Sequence, residues 1–269
     1  MFRNLMMFGL IPGILYFILT AGNSAQLEVG MSIGQRFHYE TSFGDEGYKG
    51  TEIGWGEKVP LYKKYEVDKK IVLPAPELVG MNVEKAIRTR RSVRYYADQP
   101  VTPEQLSQIL LSANGITEDS DGWEFRAAPS GGALYPVEIY VVVSNVDTIA
   151  DGLYHFQVSD SSLEMIRKGN LDKQLHLAAN EQEAVGSSAL TLVLTARFNR
   201  STTKYGDRGY RYTYIEAGAV CENVYLQANS LGLGTVAIGA FNDDMLNRFL
   251  EIDGLDEAAL LIMPIGYPR

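Results

Sequence analysis

Two runs, residues 136–143 and 189–198, limit the architecture more than anything else in this chain. Both are rich in β-branched residues, apolar over most of their length and bounded by turn residues, the pattern of strands buried on both faces. Strands of that kind need a cover on each side, and the flanking sequence offers helices. Thr102 caps one, with Pro103 at its first position and Gln105 completing a capping box. Leu106, Ile109, Leu110 and Ala113 form its apolar face and Gly115 ends it. Asn82 caps a shorter helix over 83–89, and 171–180 and 243–250 read as two more. The longest helix is expected over 212–231, with Ile215, Ala219, Leu226 and Leu231 on or near one face, Cys221 beside it and Gly232 just past its end. Residues 153–158 and 163–166, joined by 159–162, read as a hairpin, and 235–238 and 259–265 as further strands. Helices and strands mingle without a regular βαβ alternation, so the expected class is α+β, helices around a central mixed sheet.

Composition narrows function. With 46% apolar and 21% charged residues, the chain is globular, and its 269 residues suit one large domain or two small ones. No repeat of solenoid or propeller period is present. A net charge of −9 argues against nucleic acid as a partner, because phosphate neutralisation needs a basic face. The single cysteine, Cys221, excludes an intrachain disulfide and a thiolate metal cage. His38, His155 and His176 show no metal-ligand spacing, so no metal is expected.

No charged side chain occurs from Asn4 to Leu27, and residues 5–21 are mostly apolar. This reads as a secretory signal cleaved near Asn23-Ser24-Ala25, or as a short membrane anchor, either giving an exported or membrane-attached protein. Translation from Met31 would instead leave a cytoplasmic chain. Residues 26–80, with Pro60, Pro74 and Pro76 and no sustained period, are expected to form an irregular leader before a domain over 81–269.

Gly232-Leu-Gly234-Thr-Val-Ala237 matches a dinucleotide fingerprint in letters only. That fingerprint must follow a strand and open a helix, whereas here it closes a helix and enters a strand. No GxSxG elbow is present around Ser130. Arg90, Arg91 and Arg94 bracket Ser92; such a cluster either complements a helix end in solvent or grips a terminal phosphate through forked, charge-assisted hydrogen bonds. Gly131-Gly132 and the turn Ile238-Gly239-Ala240-Phe241 both leave backbone that a flat ligand can approach.

Taken in order, Arg90–Arg94, Pro129–Pro136, the helix carrying Ile215-Glu216-Ala217-Gly218, Ile238–Phe241 and the closing Pro264–Pro268 resemble the nitroreductase-like flavoproteins. The similarity is to the branch with SagB-type and thiazole/oxazole dehydrogenases, and covers about Ile33 to Arg269. It implies FMN held noncovalently in an intertwined homodimer and cycling by hydride transfer with NAD(P)H or a small organic or azoline-like substrate. The implied phosphate ligands are Arg90, Arg91, Ser92 and Arg94. Pro129, Ser130, Gly131 and Ala133 would come from the other subunit, Ile238, Gly239 and Ala240 would cover the ring, and Asn180 would meet its edge. Nitroreductases outside this branch carry Asn where Ala133 stands, and a basic pair past the last strand that Arg269 alone could partly replace. Lys204 and Tyr205 resemble the base and acid of azoline-oxidising members; the alternative is a solvated lysine beside a packed tyrosine. The competing function is a non-catalytic, exported flavin-binding dimeric scaffold.

Overall fold

A computed structural model describes residues 31–269 except 46, 55, 68 and 121. The expected signal or anchor over 1–25 lies outside the described residues. Two compact units divide between Glu52 and Ile53. In the first, α1 (Ile33–Glu40) begins with a capping box between Ser32 and Gln35. A short hairpin, β1 (Phe43–Gly44) with β2 (Gly47–Tyr48), pairs Phe43 with Tyr48.

The second unit is built on a seven-stranded sheet. Its strands are β3 (Lys70–Val72), β6 (Val137–Val143), β7 (Gly152–Gln157), β8 (Ser162–Lys168), β9 (Leu190–Arg197), β10 (Gly234–Thr235) and β11 (Glu257–Gly266), in the order β10-β11-β9-β6-β7-β8-β3. The separate hairpin β4 (Ile116–Ser120) and β5 (Trp123–Arg126) stands outside it. Every ladder in the sheet is antiparallel; parallel pairing enters through isolated bridges, Ser92 with Thr235 and Val101 with Val146.

β6 is buried along its whole length, and its side chains alternate between two cores. Val137, Ile139, Val141 and Val143 pack towards α3 (Pro103–Asn114) and α7 (Arg208–Ser230), with Leu106, Ile109, Val220 and Val224. Tyr140 and Val142 pack on the opposite side with Leu175 and Leu246. Those two residues come from α4 (Asp172–Ala178) and α8 (Asp243–Leu250). Completing the helices are α2 (Val83–Thr89), α5 (Glu183–Gly186) and α6 (Phe198–Tyr205). The fold is therefore α+β, as expected, but its central sheet between helical layers is antiparallel and not the mixed sheet expected.

Two expectations are refined. Within the expected leader over 26–80, the described residues hold α1, the β1–β2 hairpin and the edge strand β3, which pairs Ile71 with Leu163. The long helix starts four residues earlier than its apolar pattern suggests. Its buried face carries Thr213, Glu216, Ala217, Val220, Cys221, Val224, Tyr225 and Ala228, while Ile215 is 71% exposed. At its other end the expected stop holds: Gly232 takes φ 75°, Leu233 N–H donates to Ala228 O at 2.8 Å and Gly232 N–H to Asn229 O at 3.2 Å. This is a Schellman ending, and it explains why the glycine-rich stretch terminates a helix instead of opening one.

Candidate functional site

The residues singled out in the sequence fall into two groups, one at each end of α7. At the C-terminal end, Arg90 is the residue on which α2 stops. Its guanidinium lies 5.0 Å from the centre of the Tyr225 ring, and its Nε is 4.0 Å from Glu222. Arg91 folds back, donating from Nη1 to the carbonyls of Arg88 and Arg90 at 3.2 and 2.7 Å. Ser92 Oγ is 3.1 Å from the Tyr225 hydroxyl, which accepts the Ala237 N–H at 2.7 Å. Tyr225 thus joins the arginine segment to the turn that follows β10, and Val93 N–H to Thr235 O at 2.9 Å reinforces the join. Arg94 is exposed.

Ile238 is fixed by paired bonds with Ile262, both 2.9 Å, while Gly239 and Ala240 beyond it are exposed. A Cβ built on Gly239 would meet nothing within 4 Å. Asn180 lies at φ 53° in the loop after α4. Gln182 of that loop donates to Ala240 O at 2.9 Å, so Asn180 comes to the same region. Arg269 is brought there too: its N–H donates to Tyr95 O at 3.1 Å, next to Arg94 in the chain.

The second group surrounds Gly131-Gly132. Gly132 has φ 71°, and a Cβ there would lie 2.7 Å from Tyr205 Oη and 2.9 Å from Lys204 Nζ. Only glycine suits both the left-handed backbone and that crowding. Ala133 and Tyr135 also have positive φ, 52° and 44°, so the loop after Ser130 is strained. Lys204 and Tyr205 are not in an open loop; they form the last turn of α6, which Gly206 ends at φ 53°. Tyr205 packs edge-on against Tyr212 with ring centres 5.0 Å apart, and Tyr212 also borders Gly131. Ser130 Oγ accepts the Tyr135 N–H at 2.8 Å, and Pro129 is exposed at the loop's start.

Sequence reasoning missed the residues beneath this loop. Glu216, one turn along α7 from Tyr212, is buried with its Oε1 unpartnered. Burial pushes its carboxyl up to about 7, against a smaller pull from the Ser130 hydroxyl and the charges of Arg126 and Arg200. Arg200 is fully buried and donates to Tyr135 O at 2.7 Å, Pro60 O at 2.9 Å and Glu138 at 2.5 Å. Burial alone would raise Glu138, but the hydrogen bond from His155 and the charge of Arg200 outweigh it and hold the carboxyl at about 2. A composition or spacing rule could not have found this layer, because Arg126, Glu138, Arg200 and Glu216 are far apart in sequence.

Among the described residues no group of three or more His, Cys, Asp or Glu is placed to hold a metal ion, and no helix is long and apolar enough to cross a membrane.

Residues 87–267 match the nitroreductase family model. The chain belongs to the nitroreductase family. This nitroreductase-family chain is 40% identical to a Methanocaldococcus jannaschii protein named as a nitroreductase, over 71% of its own length and 93% of that relative's. It is 27% identical to the microcin B17-processing protein McbC of Escherichia coli, over 58% of this chain and 59% of McbC. The fold is that of a nitroreductase crystal structure from Anabaena variabilis, with TM-score 0.70 and 29% identity over 87% of this chain. The chain spans 47% of the Anabaena protein. Membership of the branch with SagB-type processing proteins, indicated by the motifs, agrees with the likeness to McbC. At the coarse level the family is one of oxidoreductases.

Proposed function

We propose that the chain is an FMN-dependent oxidoreductase that works as a homodimer, exchanging reducing equivalents between NAD(P)H and a small organic or azoline-like acceptor or donor. The observation that carries this reading is the open backbone at Gly239 beside the chain Ser92–Tyr225–Ala237. A flat ring can approach the 239–240 backbone there, and Arg90, Ser92 and Arg94 stand at the same edge to meet a phosphate. FMN, when bound, supplies the two-electron redox chemistry, as family membership and the likeness to an NADPH:FMN oxidoreductase fold suggest. The protein's own part is to hold the phosphate, present N–H groups along the ring edge and handle a proton. Lys204 Nζ and Tyr205 Oη, both against Gly132, are the pair suited to that proton.

The homodimer reading is supported by the separation of the two groups. Tyr212 and Tyr225 are thirteen positions apart on α7, about 20 Å at 1.5 Å per residue, so a single chain turns its two half-sites to opposite ends of that helix. Between them the exposed side of α7 carries Ile215, Gly218 and Glu222, and nothing lies within 4 Å of a Cβ at Gly218. A two-fold axis passing near Gly218 pairs position 218 − n with 218 + n. That sets the Tyr212 end of one helix beside the Tyr225 end of the other and completes two sites.

The test is direct. Purified protein incubated with FMN and freed of excess should show flavin absorbance near one equivalent per chain, and anaerobic NADH or NADPH should bleach it. A chain that retains no flavin would refute the reading. Flavin retained but bleached by neither nucleotide would remove NAD(P)H as donor and favour oxidation of an organic substrate.

A further inference from the structure

The loop from Ser130 to Tyr135 exposes Gly131 and Gly132 and buries Tyr135. Three of its residues have positive φ, and two of them, Ala133 and Tyr135, are not glycine. Backbone of that kind persists only where its surroundings over-determine it. The holds come from below. Arg200 donates to Tyr135 O at 2.7 Å, and the Arg126 N–H donates to the Tyr135 hydroxyl at 3.3 Å. The Arg126 guanidinium lies 4.4 Å from the centre of the same ring. Ser130 Oγ accepts the Tyr135 N–H at 2.8 Å, and the Ser130 hydroxyl hydrogen turns to the carboxyl of Glu216 on α7. We propose that Glu216 is a positioning residue, whose carboxyl acts through Ser130 to hold this loop in the strained form that its half of the flavin site uses. The bearing on flavin rests on the FMN reading above; the bearing on the loop does not.

Two features set Glu216 apart from an incidental buried acid. First, Glu216 Oε1 and Arg126 Nε are both buried, and both lack a hydrogen-bond partner among the described residues. Unsatisfied buried polar atoms are few in folded proteins and costly, so a facing pair of them needs a reason. A neutral carboxyl has little pull on that guanidinium and stays with Ser130. An ionised one is drawn to it, and closing the pair takes two holds from the loop at once: the carboxyl leaves Ser130, and Arg126 leaves the face of Tyr135. Second, no other charge is at liberty to answer the carboxylate. The groups facing Glu216 are the Ser130 hydroxyl from the loop, Arg126 from β5 and Arg200 from α6. Arg200 is committed to Glu138, Tyr135 O and Pro60 O. Burial outweighs all three and pushes the Glu216 carboxyl up to about 7, which puts the change from holding to releasing the loop in the neutral range.

Two measurements on the full chain test this. Amide hydrogen exchange reads the Tyr135 N–H directly, because Ser130 Oγ is its acceptor. Its protection, corrected for the intrinsic exchange rate, should fall about tenfold in the wild type from pH 6 to pH 8, as the protonated fraction of Glu216 drops. Glu216→Gln keeps an acceptor for Ser130 without the charge, so its protection should match the wild type at pH 6 and stay level to pH 8. Glu216→Ala should be about tenfold less protected at both; if it does not fold, the glutamine variant carries the test alone. FMN titration is the second measurement. The ratio of wild-type Kd to Glu216→Gln Kd, in which titration of the phosphate itself cancels, should rise about tenfold over the same interval. Tyr135 protection that falls with pH in Glu216→Gln as it does in the wild type, or that is level in both, would overturn the inference. The expected exchange pattern with a constant Kd ratio would overturn its link to flavin. Failure of the wild type to bind FMN strikes the FMN reading instead, and the exchange result still decides whether Glu216 positions the loop.

Discussion

At the level of single residues, the densest chemistry lies beneath the Gly131-Gly132 loop. Lys204 Nζ and Tyr205 Oη converge on Gly132 so closely that a methyl group there could not be accommodated without displacing one of them. If the pair moves a substrate proton, Lys204→Ala should lower the rate of flavin reduction by a saturating organic substrate by about 10²–10⁴, with flavin content preserved. Stopped-flow reduction of flavin-replete wild type and variant makes the comparison, and equal rates would leave Lys204 a structural residue. Glu216 gives a pH-dependent counterpart. Its folded carboxyl is pushed up to about 7 from an ordinary value of 4.5, so between those limits the folded chain holds a proton that the unfolded chain releases. Its contribution to stability therefore falls as pH rises from about 4.5 to 7, by on the order of 3 kcal/mol in full. Glu216→Gln should remove that slope, gaining stability over wild type at pH 8 but little at pH 4.5. Urea midpoints at the two pH values measure it, and a constant wild-type-to-variant difference would show that the Glu216 carboxyl titrates alike in the folded and the unfolded chain.

Among elements, α7 is the part on which both half-sites depend. Tyr225 is the joint: its hydroxyl takes the Ala237 N–H and meets Ser92 Oγ, so one side chain registers the arginine segment against the Ile238–Ala240 turn. Tyr225→Phe would leave the partly buried Ala237 N–H without its partner, a loss of about 1–3 kcal/mol. FMN affinity should drop roughly tenfold, as should that of Arg90→Ala, which removes a charge-assisted bond instead. Titration of the apoprotein with FMN tests both, and unchanged affinity in both variants would move the phosphate elsewhere. Much of this element level was readable beforehand. The capping box at Thr102, the two buried strands and the glycine stop of α7 are local signals, written in adjacent residues. What escaped notice was set by tertiary context. Helix α6, with its polar Phe198–Tyr205 sequence, has no apolar stripe of helical period to announce it. Edge strand β3 is three residues long among prolines and lysines. The β4–β5 hairpin did carry a cue, Asp121-Gly122 between alternating segments, but its exposed Trp123 and Phe125 suit no core.

At the scale of the whole molecule, the exposed side of α7 is the surface that assembly would use. A helix that spans one core normally buries its large apolar residues, yet Ile215 is exposed on this one, one turn from Gly218, where an added Cβ would meet no described atom within 4 Å. Glycine inside a helix costs about 1 kcal/mol relative to alanine, so its presence at 218 needs a reason, and close approach of a second copy of α7 provides one. This gives opposite predictions for fold and assembly. Gly218→Arg places a long side chain into what is open space within the chain, so thermal stability of the isolated fold should be unchanged or slightly raised by the better helix former. The same side chain would hold two copies of α7 apart. The variant should then sediment as a monomer at concentrations where the wild type is a dimer, and should retain FMN at least tenfold more weakly. Because each completed site would draw on both chains, flavin affinity in the wild type should also weaken on dilution, by mass action. Sedimentation velocity followed by both protein and flavin absorbance reads every part of this in one run. A Gly218→Arg protein that stays dimeric, or a monomer that keeps a full complement of FMN, would exclude the shared site and require both half-sites to be completed within one chain.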